Sequence, residues 1–508
     1  MMDHQIPQTL KEQVDRNAQM RCDGIWMISP ETGEEVSFAE ARSRISDIAS
    51  HLLGLGLKEG VSVAIAAPNS VGSCLMFMGV VYAGLVAVPL NLVAGPAMIG
   101  YTLRHCEADV IFVADDCKDL IQSAQDEEGL QLQTMRLDLD KGPVWDGSMG
   151  EPLTPTCPHS QTIGLMMYTS GTTGKPKGVM LSHANLLAAG RYISLGHAIA
   201  EKDRALCVLP IYHINGLCVT VMGTLVSAST VVMPYRFSVS TFWEMIVRYR
   251  CSWFSAVPTQ YAYILNNDTP VGDLSHLRFA RSASAPLSPD IHRRFEERFD
   301  VPIIETMGLT ETGSQITTNP LPPARRKIGS PGAAFGNEIM VGDSDRIAMP
   351  TGQTGEILVR GKNVMQGYFK QPEETAKTIT QDGWLRTGDL GYMDEDGFIY
   401  VSGRIKELII KGGENIAPRE IDEALLEHPN VLEAAAFAVP CENYGESIEA
   451  CIIFKDEADI AVDVLKAHCV SKLGKFKSPD QIHVMHDLPK GPSGKVQRLK
   501  LYDLIHAA

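Results

Sequence analysis

Short apolar runs alternate with amphipathic, capped segments along about the first 400 residues, and this alternation restricts the fold more than any other feature of the chain. Residues 61–66, 85–90 and 109–113 read as buried strands. Ser37-Phe38-Ala39-Glu40 has the form of a capping box and opens a helix to about residue 53. Ser288-Pro289 opens another, with the cap residue followed by proline at the first helical position. Its Ile291, Phe295 and Phe299 share one face among charged neighbours. Strands alternating with helices predict α/β layers with largely parallel sheets. The longest apolar stretch, residues 75–90, holds Gly79 and Gly84 and is 16 residues long. That is short of the ~20 a membrane-spanning helix needs, so a buried helix running into a buried strand is expected.

The pattern changes after about residue 350. Residues 355–360, 397–401 and 407–410 read as short strands, with Asp396-Gly397 as a turn. Pro418 opens a helix rich in acid at its first turn, and Pro429 closes it. Strands over 434–439 and 449–454 follow, then a helix near 464–473. At 508 residues the chain exceeds a single domain, and this tail is expected to form its own small unit.

Lys and Arg total 45 against 61 Asp and Glu, a net charge of −16, which argues against broad attraction to nucleic acid or anionic lipid. The 11 cysteines are scattered with no Cys-x-x-Cys pair, which suits reduced thiols in a cytoplasmic setting. The polar N-terminus lacks the apolar core of a signal peptide, and the final LIHAA matches no peroxisomal or retention signal.

The sharpest chemical signal is Tyr168 to Val179, YTSGTTGKPKGV, with three glycines, several hydroxyls and two lysines. Glycines let the backbone turn N–H groups inward, hydroxyls add donors and lysines add charge, so the loop suits a phosphate. It is not a Walker A loop, because Pro176 follows Gly174-Lys175 where Ser or Thr would be required. The loop resembles the phosphate-binding signature of the adenylate-forming superfamily, which holds acyl-CoA synthetases, firefly-type luciferases and peptide-synthetase adenylation domains. Further family motifs follow in the family's order as far as Lys495, so the resemblance covers most of the chain.

The resemblance implies roles for particular residues. Thr169, Ser170, Gly171, Thr172, Thr173, Gly174 and Lys177 hold ATP phosphates. In Met307-Gly308-Leu309-Thr310-Glu311-Thr312, Thr310 contacts the α-phosphate and Glu311 binds Mg2+, an ion that prefers oxygen ligands bridging phosphate and protein. Glu305, Thr306, Met307 and Gly308 border the nucleotide, Met307 standing where relatives commonly carry an aromatic residue. Ser284, Ala285 and Pro286 line the adenine on a turn where many relatives have Gly-Gly-Ala. Asp389, in Trp384-Leu385-Arg386-Thr387-Gly388-Asp389, accepts from both ribose hydroxyls, a task for a carboxylate. Arg404 reaches the nucleotide and Lys406 is the hinge. Lys411, Gly412, Gly413 and Glu414 border the CoA pantetheine tunnel, and Lys495 is the catalytic lysine. Taken alone, Asp389 and Arg404 would be surface charges and Gly412-Gly413 a plain turn. Seven basic residues from Lys472 to Lys500 face two acids, a local +5 where phosphates would pass.

Pro210-Ile211-Tyr212-His213-Ile214-Asn215-Gly216 aligns with the family's acyl-pocket segment, His213 taking the gate position. Asn215 places an amide where a long acyl tail would want an apolar side chain, which favours a short or polar acid. The pocket draws on segments around 211–217, 235–260, 281–285 and 306–315. Arg281 or Arg236 could pair with a second anionic group on the substrate, although a surface salt bridge is the simpler expectation for either. His483 and His486 show no acidic or cysteine partner, so an ordinary surface or core placement is expected.

The reading is therefore a large N-terminal multi-layer α/β body, residues 1–405, and a small mobile C-terminal α+β lid, 406–508. ATP, Mg2+, CoA and a small carboxylic acid are the expected cofactors and partners, with no nucleic acid and no membrane span. Loading of a carrier protein, a long-chain fatty acyl-CoA synthetase, a P-loop kinase or ATPase, and a non-catalytic nucleotide binder are the alternatives.

Overall fold

The structure, a computed structural model, describes residues 6–145, 151–169, 175–267, 271–455, 461–490 and 496–506. Among these, two large sheets organise the body. The first has eight strands, in the order Gly367–Tyr368, Lys177–Ser182, Ile163–Thr169, Val86–Pro89, Ser62–Ala66, Ala108–Ala114, Gln133–Asp138 and Gly142–Pro143. The second has nine, running from Ala333–Ala334 through Ser314–Thr318, Ile303–Leu309, Phe279–Ser282, Trp253–Ala256, Arg204–Leu206, Thr230–Val232 and Ile25–Ile28 to Glu35–Ser37. The interior strands pair in parallel, as the alternation predicts, while the strands at both edges run antiparallel.

The stretch 75–90 is a helix, Val71–Tyr82, buried over its whole length, and then the buried strand Val86–Pro89. No helix among the described residues is long and apolar enough to cross a membrane. One core joins both sheets, with Val63 and Val88 of the first and Met27, Phe279 and Ile304 of the second in the same cluster. Ser37 accepts from the Glu40 N–H at 3.1 Å and caps the helix Phe38–Gly54, while the Glu40 side chain turns to Arg44 instead of completing the box. The helix Pro289–Phe299 buries Phe295 and Phe299, with Ile291 packed beside them.

A four-stranded antiparallel sheet follows: Glu338–Gly342, Gly355–Arg360, Leu385–Met393 and Ile399–Arg404. Its last strand starts two residues later than the sequence predicts, because Asp394 Oδ1 accepts from the N–H groups of Asp396 and Phe398 and closes the turn first. The expected strand at 407–410 begins instead at Ile409, after the 3-10 turn Ile405–Glu407.

The C-terminal domain is separate. Its sheet holds Glu414–Ile416, Ile409–Lys411, Gly445–Phe454 and Val431–Cys441, with Gln481–Val484 parallel to the third of these. Ile421, Leu425, Ile448, Ile452 and Leu465 form a core of its own under the helices Pro418–Leu426 and Val462–Lys477. All eleven cysteines are free thiols. His483 does have an acid, contrary to the sequence expectation: Glu449 Oε2 accepts from His483 at 2.7 Å and from His506 at 2.9 Å, an arrangement that tertiary folding alone creates.

Candidate active site

The glycine- and hydroxyl-rich stretch is flanked by an antiparallel pair of strands in which Thr169 pairs with Lys177 and Tyr168 with Gly178. Ser170, Gly171, Thr172, Thr173 and Gly174 lie outside the described residues. At the base of the loop, Lys177 Nζ meets Glu374 at 2.5 Å and sits 4.8 Å from the centre of the Tyr368 ring. The lysine, first among its causes, holds the Glu374 carboxyl near pKa 2. Tyr368 donates its hydroxyl to Glu311 Oε1 at 2.8 Å. Among the described residues Glu311 Oε2 has no hydrogen-bond partner, which leaves an oxygen for a cation.

Glu311 stands on the single turn Thr310–Thr312 that joins Ile303–Leu309 to the antiparallel Ser314–Thr318. The turn needs Gly308, since a Cβ there would lie 1.7 Å from the Ser314 carbonyl oxygen. Thr312 closes it by donating to the Leu309 and Ser314 carbonyls. Just before it, Thr306 donates to the Ser282 carbonyl at 3.3 Å, and Met307 is half-buried with its N–H on Thr317 Oγ1. Glu305 is buried and already engaged, accepting from His292 at 3.0 Å and from the Gly329 N–H at 3.1 Å. That geometry gives its carboxylate a structural task.

Asp389 and Arg404 face each other across two antiparallel strands, with Arg404 Nε donating to Asp389 Oδ1 at 2.7 Å. Asp389 is the first cause that raises the Arg404 pKa, and Glu311 adds to it. The Lys177 strand and the Glu311 turn thus meet through contacts, Lys177 over Tyr368 and Tyr368 on Glu311, while the Arg404–Asp389 pair feels the Glu311 charge without touching it.

Lys406 lies in the exposed 3-10 turn Ile405–Glu407, between the last strand of the four-stranded sheet and the first strand of the C-terminal domain. Lys411-Gly412-Gly413-Glu414 is a tight hairpin, Lys411 pairing with Glu414 and both glycines taking positive φ, +60° and +84°. The Lys411 side chain is buried, its Nζ 3.6 Å from Asp480 and near the Tyr444 and Phe476 rings. Lys495 lies outside the described residues. Lys490, five positions earlier in the chain, pairs with Glu433 at 2.7 Å.

The acyl-pocket segment bends tightly enough that a Cβ on Gly216 would lie 2.2 Å from the Pro210 carbonyl oxygen. His213 is half-buried, its ring 4.9 Å from that of Tyr212. Asn215 is buried at the start of a π-helix, Asn215–Met222, a conformation concentrated at functional sites. Its Nδ2 donates at 3.2 Å to Ser284, which sits at φ +74° just ahead of Ala285 and Pro286. Arg236 is exposed and Arg281 fully buried, so the surface placement holds for the first only, and neither forms a salt bridge among the described residues. Tyr368, Glu374, Ser255 and Gln315 carry no local signal; each gains its position only from a partner remote in sequence.

The chain belongs to the AMP-binding enzyme family: the family model matches residues 14–369, and the model of the family's C-terminal domain matches 420–495. The sulfoacetate–CoA ligase of Cupriavidus necator is 45% identical over 94% of each chain, and the oxalate–CoA ligase of Arabidopsis thaliana 35% identical over 91% of this chain and 92% of that one. The ATP-bound crystal structure of MatB from Rhodopseudomonas palustris superposes with a TM-score of 0.90 at 29% identity, covering 99% of this chain and all of that one. The protein is an AMP-forming acid–thiol ligase: it activates a carboxylate with ATP as acyl-AMP, releases pyrophosphate, and passes the acyl group to CoA.

Proposed function

We propose that this ligase acts on a short, polar acid, with the body ending at residue 405 and residues 406–508 moving as a lid about Lys406. Two contact sets, Lys177–Tyr368–Glu311 and Arg404–Asp389, coupled by the Glu311 charge, support this reading, because they supply a cation, a metal-type oxygen and a ribose-type carboxylate. In the first half-reaction a carboxylate oxygen of the acid attacks the α-phosphorus of ATP, and the bond from phosphorus to the β-bridging oxygen breaks to release pyrophosphate. Lys177 and the loop from Thr169 to Gly174 hold the phosphates, Thr310 steadies the α-phosphate, Asp389 accepts from the ribose hydroxyls and Arg404 holds Asp389 in place. Ser284 to Pro286 and Met307 border the adenine. Glu311, with its spare oxygen, fits Mg2+, which would neutralise phosphate charge. Lys495 offsets the charge that builds at the α-phosphate, help worth about 3–4 kcal/mol for a well-placed group.

In the second half-reaction the lid turns, and the hairpin from Lys411 to Glu414 borders the approach of CoA. The thiol sulfur attacks the acyl carbon, the carbon–oxygen bond to AMP breaks, and the thiol proton passes to solvent or to the departing phosphate. His213 gates the pocket between the two steps. Two conformations for two chemistries is a hinge mechanism.

The buried amide of Asn215 in the acyl segment and the short, polar acids in the names of the sulfoacetate and oxalate relatives support the substrate class. A panel of short, dicarboxylic, sulfonated, aromatic and fatty acids, scored by pyrophosphate and acyl-CoA, tests it. The expected result is AMP, pyrophosphate and a CoA thioester from a short polar acid. ADP as product, transfer only to a phosphopantetheinylated carrier, or turnover of long fatty acids alone would each overturn the reading.

A further inference from the structure

Arg281 lies on the strand Phe279–Ser282 and is 1% exposed. Its guanidinium donates to three neutral groups: Asn215 Oδ1 at 3.1 Å, Ser255 Oγ at 3.0 Å and Gln315 Oε1 at 3.4 Å. No carboxylate among the described residues lies within 4.0 Å of it. The contrast with other arginines is sharp, since the enclosed Arg498 faces Asp422 at 2.6 Å and even the half-buried Arg278 faces Asp203 at 2.7 Å. An isolated cation in a protein interior is costly, and folded chains ordinarily neutralise it with an acid. Burial lowers the Arg281 pKa to about 9, with Tyr261 opposing it only in part. Neighbours offer no counter-charge: burial lifts the Tyr261 hydroxyl well above its usual range, and His197 is held near pKa 3, first by burial and then by Arg281 itself.

Two further observations locate the missing anion. Arg281 Nε and Gln315 Nε2 are buried donors of this same cluster, and neither has an acceptor among the described residues. The cluster also takes one residue from each of the four remote segments that the sequence assigns to the acyl pocket: Asn215, Ser255, Arg281 and Gln315. Asn215 links it, through Ser284, to the turn bordering the nucleotide. Neutral donors and acceptors that fix a guanidinium without neutralising it are what a preorganised anion site requires.

The geometry points to Arg281 as the group that recognises a second anionic substituent, a carboxylate or sulfonate, on the acid being activated. This rests on the short-acid ligase reading above. It makes the preferred substrate a dianion whose far end completes the charge pair while its near carboxylate faces ATP.

The experiment compares kcat/KM of the full-length enzyme for malonate and sulfoacetate with that for propionate and butyrate, in wild type, Arg281→Gln and Asn215→Asp. Wild type is expected to prefer a dianion. Removing one partner of a buried charge pair is expected to cut the dianion-to-monoanion ratio by roughly 10²–10³-fold in Arg281→Gln, chiefly through KM. Asn215→Asp is the decisive variant if Arg281→Gln does not fold. It sets a carboxylate against the guanidinium, so it should keep or raise Tm while abolishing the dianion preference with Arg281 still present. An unchanged ratio in a folded variant makes Arg281 purely structural and overturns the inference. Wild type that turns over monoanions only also sinks the inference while leaving the ligase reading intact. Wild type that forms AMP with no acid sinks both.

Discussion

Asp389→Asn separates a nucleotide-sugar role from a structural one. Asp389 is 7% exposed and gives one carboxylate oxygen to Arg404 at 2.7 Å. Asn keeps the shape and removes the charge. The lost pair should cost less than about 1 kcal/mol of stability, because the Arg404 side chain is 41% exposed and solvent screens it. Catalysis should suffer more. A hydroxyl bond to a charged acceptor contributes about 1.5–3 kcal/mol and one to a neutral acceptor about 0.5–1.5, so each ribose hydroxyl loses about 1–1.5 kcal/mol. Two hydroxyls make about 2–3 kcal/mol, a rise in KM for ATP of roughly 30- to 150-fold. With 2′-deoxy-ATP only one bond remains to be weakened, and the penalty should shrink to roughly 5- to 12-fold. Pyrophosphate release at saturating acid and CoA measures both ratios, and a melting curve checks the fold. An equal penalty on the two nucleotides, or less than about a threefold change on ATP, would refute the assignment.

Three other outcomes are expected. Lys495→Ala should abolish formation of acyl-AMP yet leave thioester formation from synthetic acyl-AMP nearly intact; equal loss in both half-reactions would remove the lysine from the first step. Gly308→Ala should destabilise by about 1–3 kcal/mol and raise KM for ATP, because the new methyl meets backbone at Ser314 and displaces the Glu311 turn; wild-type melting and KM would contradict the packing argument. His292 lies between Glu296 and Glu305; burial lowers its pKa, but the hydrogen bonds it donates to both carboxylates outweigh that and leave it raised above 6.5. Its contribution is therefore complete below about pH 6.5 and fades as pH rises through the folded value, so His292→Gln should lower Tm more at pH 6 than at pH 9. An equal loss at both pH values would show that the charged form does not matter.

Much of the architecture was legible because its causes are local. Ser37 caps its helix through a neighbour three residues on, Ser288-Pro289 starts another, and the buried strands announce themselves as apolar runs. The displaced start of Ile399–Arg404 marks where a turn closed by Asp394 overrode the simple reading of an apolar run. Motif residues such as Gly308 and Glu311 were legible for the same reason, since a close-packed turn constrains sequence over a few positions. Tyr368 and Glu374 were not, because their partners Glu311 and Lys177 lie 57 and 197 positions away.

The sequence by itself determined the reaction class and the order of the parts: a glycine- and hydroxyl-rich stretch of phosphate-binding pattern, a carboxylate in each of two short motifs, and a tail of different patterning. Tertiary structure decided which charges are at work. In the chain, Arg281 and Arg236 are equivalent basic residues, and only folding exposes one and encloses the other without an acid. The physical reason is that desolvation depends on everything around a group. It is set where Asn215, Ser255 and Gln315 arrive from remote segments, and no local window of sequence contains it.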